Sequence, residues 1–497
     1  MAQLLDAVDQ ERLAINPSLK RKSELGQFLT PSSIASFMAS LFDKDTMSHP
    51  NILDAGAGIG SLTCAFLSRL VSEGLSNQAA ITAVEIDEIL REKLFNTLSL
   101  FEDTLNLNSQ VIAADYIEWA TNVLLDEESL LSSSNNKIRF SHAILNPPYK
   151  KIMSNSRHRK LLRGVGIETV NLYSAFVALT IELMEDHGQI VAIIPRSFCN
   201  GPYFRPFRQL LLEKTAIKHM HLFDSRDKAF KDDEVLQENV IMLLERGEIQ
   251  GEVQVSTSRD DSFSDYEVNC YPFEKIVQPK DSEFFIHIPT SNEESFIERY
   301  PSVCFSLKEI GVEVSTGPVV DFRVKGHLRD MPEDGTVPLF YPNHFVGTLT
   351  EWPKVMKKPN AVFVDDEMKK WLYPNGYYTV VKRFSSKEEK RRIVAGVLTP
   401  SSVNYAEVGF ENGLNVLHYQ KQGIPAELAF GLYAYLNSTE VDKYFRVFNG
   451  HTQVNATDLR TMKFPSREKL EKFGRWVMSN SDTIGQEEID QKLEEIL

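Results

Sequence analysis

The chain reads as an α/β protein with an open sheet in its first half and a mixed α+β lobe in its second. Three observations predict this. Apolar runs and helical stretches alternate over residues 50–245 at the spacing of βα units. Three successive apolar runs each end on a glycine turn or a single acid. A fourth ends in Asn146-Pro147-Pro148-Tyr149, where two prolines without N–H groups stop any ladder. In an open α/β sheet the ligand crevice lies outside the carboxyl ends of the strands, so all four endings would meet there.

Residues 1–45 read as one or two helices and contain Gly26-Gln27-Phe28-Leu29-Thr30-Pro31. The first strand enters Asp54-Ala55-Gly56-Ala57-Gly58-Ile59-Gly60, and a helix follows from Leu62. Gly56 and Gly58 permit positive φ and close ligand approach. The DxGxGxG spacing differs from the dinucleotide GxGxxG and lacks a P-loop lysine. The second strand, Ala80–Val84, ends in Glu85 with Ile86 beside it, an acid placed to accept ribose hydroxyls. The third, Gln110–Ala114, ends in Asp115 and Tyr116, a carboxylate for an exocyclic amine with a ring alongside. Each acid alone also reads as a helix N-cap. After Ala143-Ile144-Leu145, the turn at Asn146 offers a carboxamide, the Pro147 carbonyl and the Tyr149 ring. Those parts suit an amino group on a planar ring.

Composition constrains the partners. At 497 residues the chain allows two to four domains. Cys64, Cys199, Cys270 and Cys304 show no CxxC spacing, so neither zinc nor a disulfide framework is expected, and no metal is implied. No signal peptide is read at the N-terminus. No apolar stretch approaches the ~20 residues needed to span a bilayer. The expectation is a cytoplasmic protein. The net charge of −15 is unlike that of a generic nucleic-acid binder, so local charge matters more. Lys150, Lys151, Arg157, Arg159, Lys160 and Arg163 form a run without an acid, directly after the turn. A second basic region, interleaved with aromatics, spans 351–400 and includes Lys382 and Arg383. Composition shifts after Gly247, which predicts domains at 1–247 and 248–497. In the second, Tyr377–Phe384 reads as a strand and Gly431–Val447 as one amphipathic helical stretch. Phe448–Leu459 reads as a polar loop in which His451, Gln453 and Asn455 suit base edges.

Taken together, these motifs resemble the gamma class (TaqI-like) of S-adenosylmethionine-dependent adenine-N6 DNA methyltransferases of restriction–modification systems. The segment Phe448–Leu459 and the stretch Tyr377–Arg392 resemble the PstI-like type II subgroup. The resemblance implies a Rossmann-like methyltransferase domain followed by a target-recognition domain that binds double-stranded DNA. It implies that Thr30 contacts the methionine carboxylate of the cofactor. Asp54, Gly56, Gly58, Glu85, Ile86, Asp115, Tyr116 and Asn146 would complete that site. Asn171–Phe176 and Val191–Pro195 match the next helix and strand. Asn146, Pro147, Pro148 and Tyr149 would be catalytic, and Tyr149 and Phe230 would clamp a flipped adenine. Lys150, Lys151, Arg157, Arg159, Lys382, Arg383, Gln453 and Asn455 would contact DNA. A monomer beside the prokaryotic nucleoid, with a cognate endonuclease encoded nearby, fits this picture. Rival readings are a methyltransferase acting on protein glutamine, cytosine N4 or an RNA base, a fused restriction–modification enzyme, and a specificity subunit without catalysis.

Overall fold

The computed structural model describes residues 2–14, 29–128, 138–223, 238–279, 281–290, 294, 296–346, 348–385, 389–449, 453–480 and 484–497. The chain forms two compact units, residues 1–292 and 293–497.

The first unit is built on a nine-stranded sheet. Its strands are β1 (Asn51–Ala55), β2 (Gln78–Val84), β3 (Asn106–Ile112), β4 (Phe140–Leu145), β5 (Met184–Pro195), β6 (Thr215–Phe223), β7 (Asn239–Arg246), β8 (Val253–Ser258) and β9 (Glu267–Tyr271). Their order is β3-β2-β1-β4-β5-β7-β6-β8-β9. The pairs from β3 through β5 are parallel, and β7 lies antiparallel to both β5 and β6. The order reverses between β1 and β4, the switch point at which open sheets bind ligands.

The described α-helices of eight or more residues in this unit are α1 (Ala2–Ala14), α2 (Ser32–Ser40), α3 (Ser61–Ser72), α4 (Glu88–Ser99), α5 (Tyr116–Glu128), α6 (Arg157–Gly164), α7 (Leu172–Leu183) and α8 (Arg205–Lys214). Strand alternation sorts the core into two faces. Ile52, Ile144, Val191, Ile193 and Ile241 pack with α2 and α3. Leu53, Leu145, Ala192, Ile194 and Val240 pack with α5 and α7. The central strands are buried on both sides, which is why they read as continuous apolar runs.

The division predicted at 247/248 moves to 292/293. Val253–Ser258 runs parallel to β6, and Glu267–Tyr271 closes on it antiparallel. This segment buries Val253, Val255 and Ser256 at the sheet edge, so it belongs to the first unit despite its polar composition.

The second unit holds a four-stranded sheet in the order Glu313–Thr316, Leu414–His418, Tyr378–Lys382, Ala395–Leu398, antiparallel throughout. The expected strand near 377–384 is present. The stretch expected as one helix is two, Ala426–Leu436 and Thr439–Phe448. Asn437 ends the first, and the Ser438 hydroxyl caps the second by accepting the Val441 N–H. Ala426–Leu436 packs closely on Arg467–Ser479: a Cβ at Gly431 would stand 1.9 Å from the Leu470 carbonyl oxygen. Among the described residues no helix is long and apolar enough to cross a membrane.

Candidate active site

The glycine turn after β1 is shaped by β2. The Val84 carbonyl accepts the N–H groups of Gly56 and Ala57 at 2.9 and 3.1 Å. Gly56, Gly58 and Gly60 all have positive φ, of 78°, 58° and 85°. Side chains there would be strained, and a Cβ at Gly58 would come within 3.0 Å of Leu29. The turn thus leaves open space above the strand ends. Asp54, however, does not reach it. It lies fully buried on the α3 face, where Oδ2 accepts the Thr63 hydroxyl at 2.6 Å. Its Oδ1 has no partner among the described residues. Burial pushes its carboxyl up to about 7, aided by the nearby Glu85 charge and opposed by the Thr63 hydrogen bond. Asp54 is thus tied to α3 and is not among the residues that line the cavity, contrary to the sequence expectation.

A cavity of about 330 Å³ opens at the carboxyl ends of β1, β2, β3 and β4. That volume lies in the usual range for small-molecule sites, ~300–1,000 Å³. Gly56, Gly58, Glu85, Ile86, Asp115, Tyr116, Asn146 and Pro148 line it, with Leu29, Leu90, Leu172 and Phe176 as apolar walls. Glu85 is nearly buried, and its two oxygens accept the Gly58 and Asp87 N–H groups at 2.8 and 2.7 Å. Burial raises its carboxyl above the ordinary range, against the pull of those two N–H groups. This arrangement holds Glu85 in place on the cavity wall. Asp115 combines both readings of its sequence position. Oδ1 caps α5 through the Glu118 N–H at 3.1 Å, while Oδ2 meets His158 Nε2 at 3.1 Å. Burial favours its protonation, but the His158 hydrogen bond and charge prevail and hold the carboxyl below its usual range. The same contact raises His158 above the ordinary histidine value. Tyr116 donates to or accepts from Thr180 at 2.8 Å, and its ring packs 4.7 Å from Phe176.

The Asn146–Tyr149 turn forms the wall on the β4 side. Asn146 Nδ2 donates to Thr30 Oγ1 at 3.1 Å, and Oδ1 accepts the Tyr149 hydroxyl at 3.0 Å. Thr30 is nearly buried, so the N-terminal motif reaches the turn 116 positions away through one hydrogen bond. After Tyr149 the chain folds back on the Asn171 motif: the Lys150 carbonyl accepts the Leu172 N–H at 2.8 Å, and Lys151 bridges Asn171. The Tyr149 ring stands edge-on to Tyr173 at 6.4 Å. The sites expected at Gly26–Phe28, Phe230 and His451 lie outside the described residues.

Comparison with known proteins agrees with this geometry. A family model described as Eco57I restriction-modification methylase matches residues 60–230. The chain is 69% identical over 497 residues to the type II methyltransferase M.BsuBI of Bacillus subtilis, covering 100% of this chain and 99% of that one. It is 41% identical over 496 residues to the type II methyltransferase M.PstI of Providencia stuartii, covering 96% of each. The chain belongs to the type II DNA methyltransferases of restriction–modification systems. Its fold is also that of the type IIL restriction–modification enzyme MmeI, solved in complex with DNA. That match has a TM-score of 0.54 and 12% identity over 94% of this chain and 70% of that one. S-adenosyl-L-methionine is the methyl donor that the fold and the family imply. The cavity fits such a group: glycines stand where a Cβ would intrude, and the buried Glu85 and the half-buried Asp115 line the wall.

The expected DNA-contact cations of this methyltransferase divide into two kinds. Lys150 and Lys151 are exposed and line the cavity. Arg157 is exposed but pairs with Glu118 at 3.0 Å. Arg159 is buried, paired with Glu168, and so does not present a free cation to phosphate. Three of the six cations of this run are paired from elsewhere in the chain, Arg157 by Glu118 on α5 and Arg159 and Arg163 by Glu168 after α6. In the second unit Lys382 pairs with Glu389 at 2.9 Å. Arg383 donates to Gln453 Oε1 at 3.4 Å and to the Asn412 carbonyl at 3.2 Å. Asn455 opens the short helix Ala456–Thr461, with its backbone N–H on Asp458 at 2.8 Å and its amide at 3.3 Å. His158 was not among the expected cavity residues. Its signal in the sequence is only its place within a basic run.

Proposed function

We propose that this enzyme transfers the methyl group of S-adenosylmethionine to N6 of an adenine swung out of double-stranded DNA, as a gamma-class enzyme with a TaqI-like catalytic half. The observation that carries the reading is the Asn146 carboxamide in the wall of the cavity that also contains Glu85 and Asp115. S-adenosylmethionine supplies a methyl carbon already activated on a sulfonium, so the protein's main task is orientation. Glu85 accepts from the ribose hydroxyls, Asp115 from the cofactor's adenine amine, and Thr30 meets the methionine carboxylate. Gly56, Gly58, Ile86 and Tyr116 shape the space around them, and Asp54 is tied to α3. Asn146 Oδ1 and the Pro147 carbonyl accept the two N–H groups of the target amine. This turns the nitrogen lone pair out of conjugation and toward the methyl carbon. The carboxamide oxygen has two lone pairs, so it accommodates the amine beside or in place of the Tyr149 hydroxyl. Pro148 stiffens the turn, and Tyr149 and Phe230 hold the extruded base between them.

Lys150, Lys151 and Arg157 meet phosphates beside the flipped base. Lys382, Arg383, Gln453 and Asn455 belong to target recognition in the second unit. Arg159 is withdrawn from this set. The enzyme acts as a monomer in the cytoplasm and protects sites cut by a separately encoded endonuclease. Modified-base sequencing of genomic DNA from cells with and without the gene tests the reading. N6-methyladenine at one recurrent sequence is expected. N4-methylcytosine, or unchanged DNA together with a methylated protein or RNA, would overturn it.

A further inference from the structure

Asn239 opens β7 opposite Pro195, at the crevice end of β5. It is 5% exposed, and neither Oδ1 nor Nδ2 has a hydrogen-bond partner among the described residues. A buried carboxamide with both ends unmet is costly, and native proteins tolerate one mainly where a ligand, ion or water completes it.

Its location narrows what that partner is. Ile193 and Ile241 pair with one another and pack on the α2 face of the sheet. By strand alternation, Asn239, two residues from Ile241, lies on the same face. Asn146 lies on that face too, since its amide meets Thr30 just ahead of α2. The two carboxamides therefore flank the end of β5 from neighbouring strands. The β4-to-β7 separation across β5 is about two strand spacings, ~10 Å.

The donor cavity lies on the other side of Asn146, toward β1, β2 and β3. In-line transfer needs the donor and the acceptor amine on opposite sides of the moving methyl group. The acceptor therefore approaches from the β5 and β7 side, where Asn239 stands.

We infer that Asn239 is a specificity-determining residue that hydrogen-bonds the ring edge of the target base while Asn146 and Pro147 engage its amine. Its Nδ2–H group donates to a ring nitrogen near the exocyclic amine, N1 or N7, and its Oδ1 disfavours a base that presents a second lone pair opposite that oxygen. The inference rests on the adenine-N6 reading above.

The test uses the full-length enzyme, a duplex carrying its methylated sequence, and the variants Asn239→Leu and Asn239→Ala. Leucine replaces an unmet polar group by an apolar one of similar size, so the melting temperature should stay level or rise. S-adenosylmethionine affinity should be unchanged. Single-turnover methyl transfer should fall about ten- to a hundredfold, the loss expected for one hydrogen bond to a buried group. Replacing the target adenine by 1-deazaadenine or by 7-deazaadenine should slow the wild type by a similar factor in one of the two cases. Neither replacement should slow the variants further, since coupled partners do not add. Wild-type transfer rates in both variants would overturn the inference, as would variants that respond to both analogues as the wild type does. Failure of the wild type to methylate N6 of the unmodified adenine would overturn the underlying reading instead, whatever the variants do.

Discussion

Three asparagines, two in the first unit and one in the second, use their amides in different ways. In the second unit Asn360 is 1% exposed and saturated. Its Oδ1 accepts the Lys354 N–H at 2.8 Å and meets His344 Nε2 at 3.0 Å, and its Nδ2 donates to the Asp330 and Lys354 carbonyls at 2.9 and 2.8 Å. His344 Nδ1 already accepts the Tyr341 N–H, so its Nε2 carries the proton that Asn360 receives. In the first unit Asn146 Nδ2 donates to the Thr30 hydroxyl and its Oδ1 accepts the Tyr149 hydroxyl, whereas the Asn239 amide has no hydrogen bond among the described residues. Two buried acids repeat the contrast. Asp442 accepts from the Arg392 and Ile393 N–H groups and from the Arg446 guanidinium, whereas Asp54 Oδ1 accepts from no described group. A buried polar group committed to its own backbone is part of the scaffold. One left without a described partner, as the Asn239 amide and Asp54 Oδ1 are, is available for a ligand or for a proton.

The largest test sets Asn146 against Asn360. Asn146→Ala should cut single-turnover methyl transfer by about three orders of magnitude or more, within the ~7–11 kcal/mol that orientation can supply. Its melting temperature and cofactor affinity should stay near those of the wild type. Asn360→Ala should give the opposite profile. It removes four hydrogen bonds of a buried amide, one of them to the buried His344, and should lower unfolding free energy by about 3 kcal/mol in urea titrations, with cofactor affinity retained below the transition. An Asn146 variant that unfolds, or one that turns over normally, would remove the distinction.

The next test concerns protons. The folded state keeps the Asp54 proton up to about pH 7, while the unfolded chain releases it near 3.8. Between those values the folded state binds more protons, so raising the pH weakens folding at this site. Asp54→Asn lacks the effect. The stability of the variant minus that of the wild type should grow from pH 4 to pH 8, by on the order of 4 kcal/mol at about 1.4 kcal/mol per pH unit. Taking the difference cancels other buried groups such as His142 and His221. Asp442→Asn is the comparison: its amide oxygen can still accept the Arg392 and Ile393 N–H groups, and what it loses is the charged pair with Arg446. A flat difference for Asp54 would mean that it is ionised and satisfied when folded.

The same contrast explains what the sequence made legible. The glycine turn, the acids after β2 and β3, and the Asn-Pro-Pro-Tyr turn are local devices. Each is fixed by backbone geometry within a few residues, and the switch-point rule brings them together. What escaped depends on partners distant in the chain. Val253–Tyr271 joins the first sheet because β6 offers an edge, which composition does not reveal. Arg159 looks like a free cation until Glu168 is placed beside it. His158 became a cavity residue only when α6 packed against α5 and brought it to Asp115. Asn455 carries a base-reading and a capping interpretation in the same residue type, and its contacts to Asp458 are those of a cap.

The smallest effect tests whether the cations of the second unit are scaffold or contact. Lys382 pairs with Glu389 at 2.9 Å, with each side chain more than a third exposed. Such a pair contributes about 0–1 kcal/mol to folding. Lys382→Gln should therefore leave urea stability within about 0.5 kcal/mol of the wild type. If Lys382 leaves Glu389 for a phosphate when DNA binds, the slope of log affinity against log salt should flatten by about 0.9, one released counterion. The sequence preference among methylated sites should not change, because phosphate contacts position and do not read bases. Arg383 is the informative neighbour. Its guanidinium is tied to Asn412 and Gln453, so Arg383→Gln should lower stability as well as DNA affinity. Binding isotherms at several salt concentrations, run beside urea titrations, separate the two residues. An unchanged salt slope for Lys382→Gln would leave it as the partner of Glu389 alone and move the phosphate contacts of the second unit elsewhere.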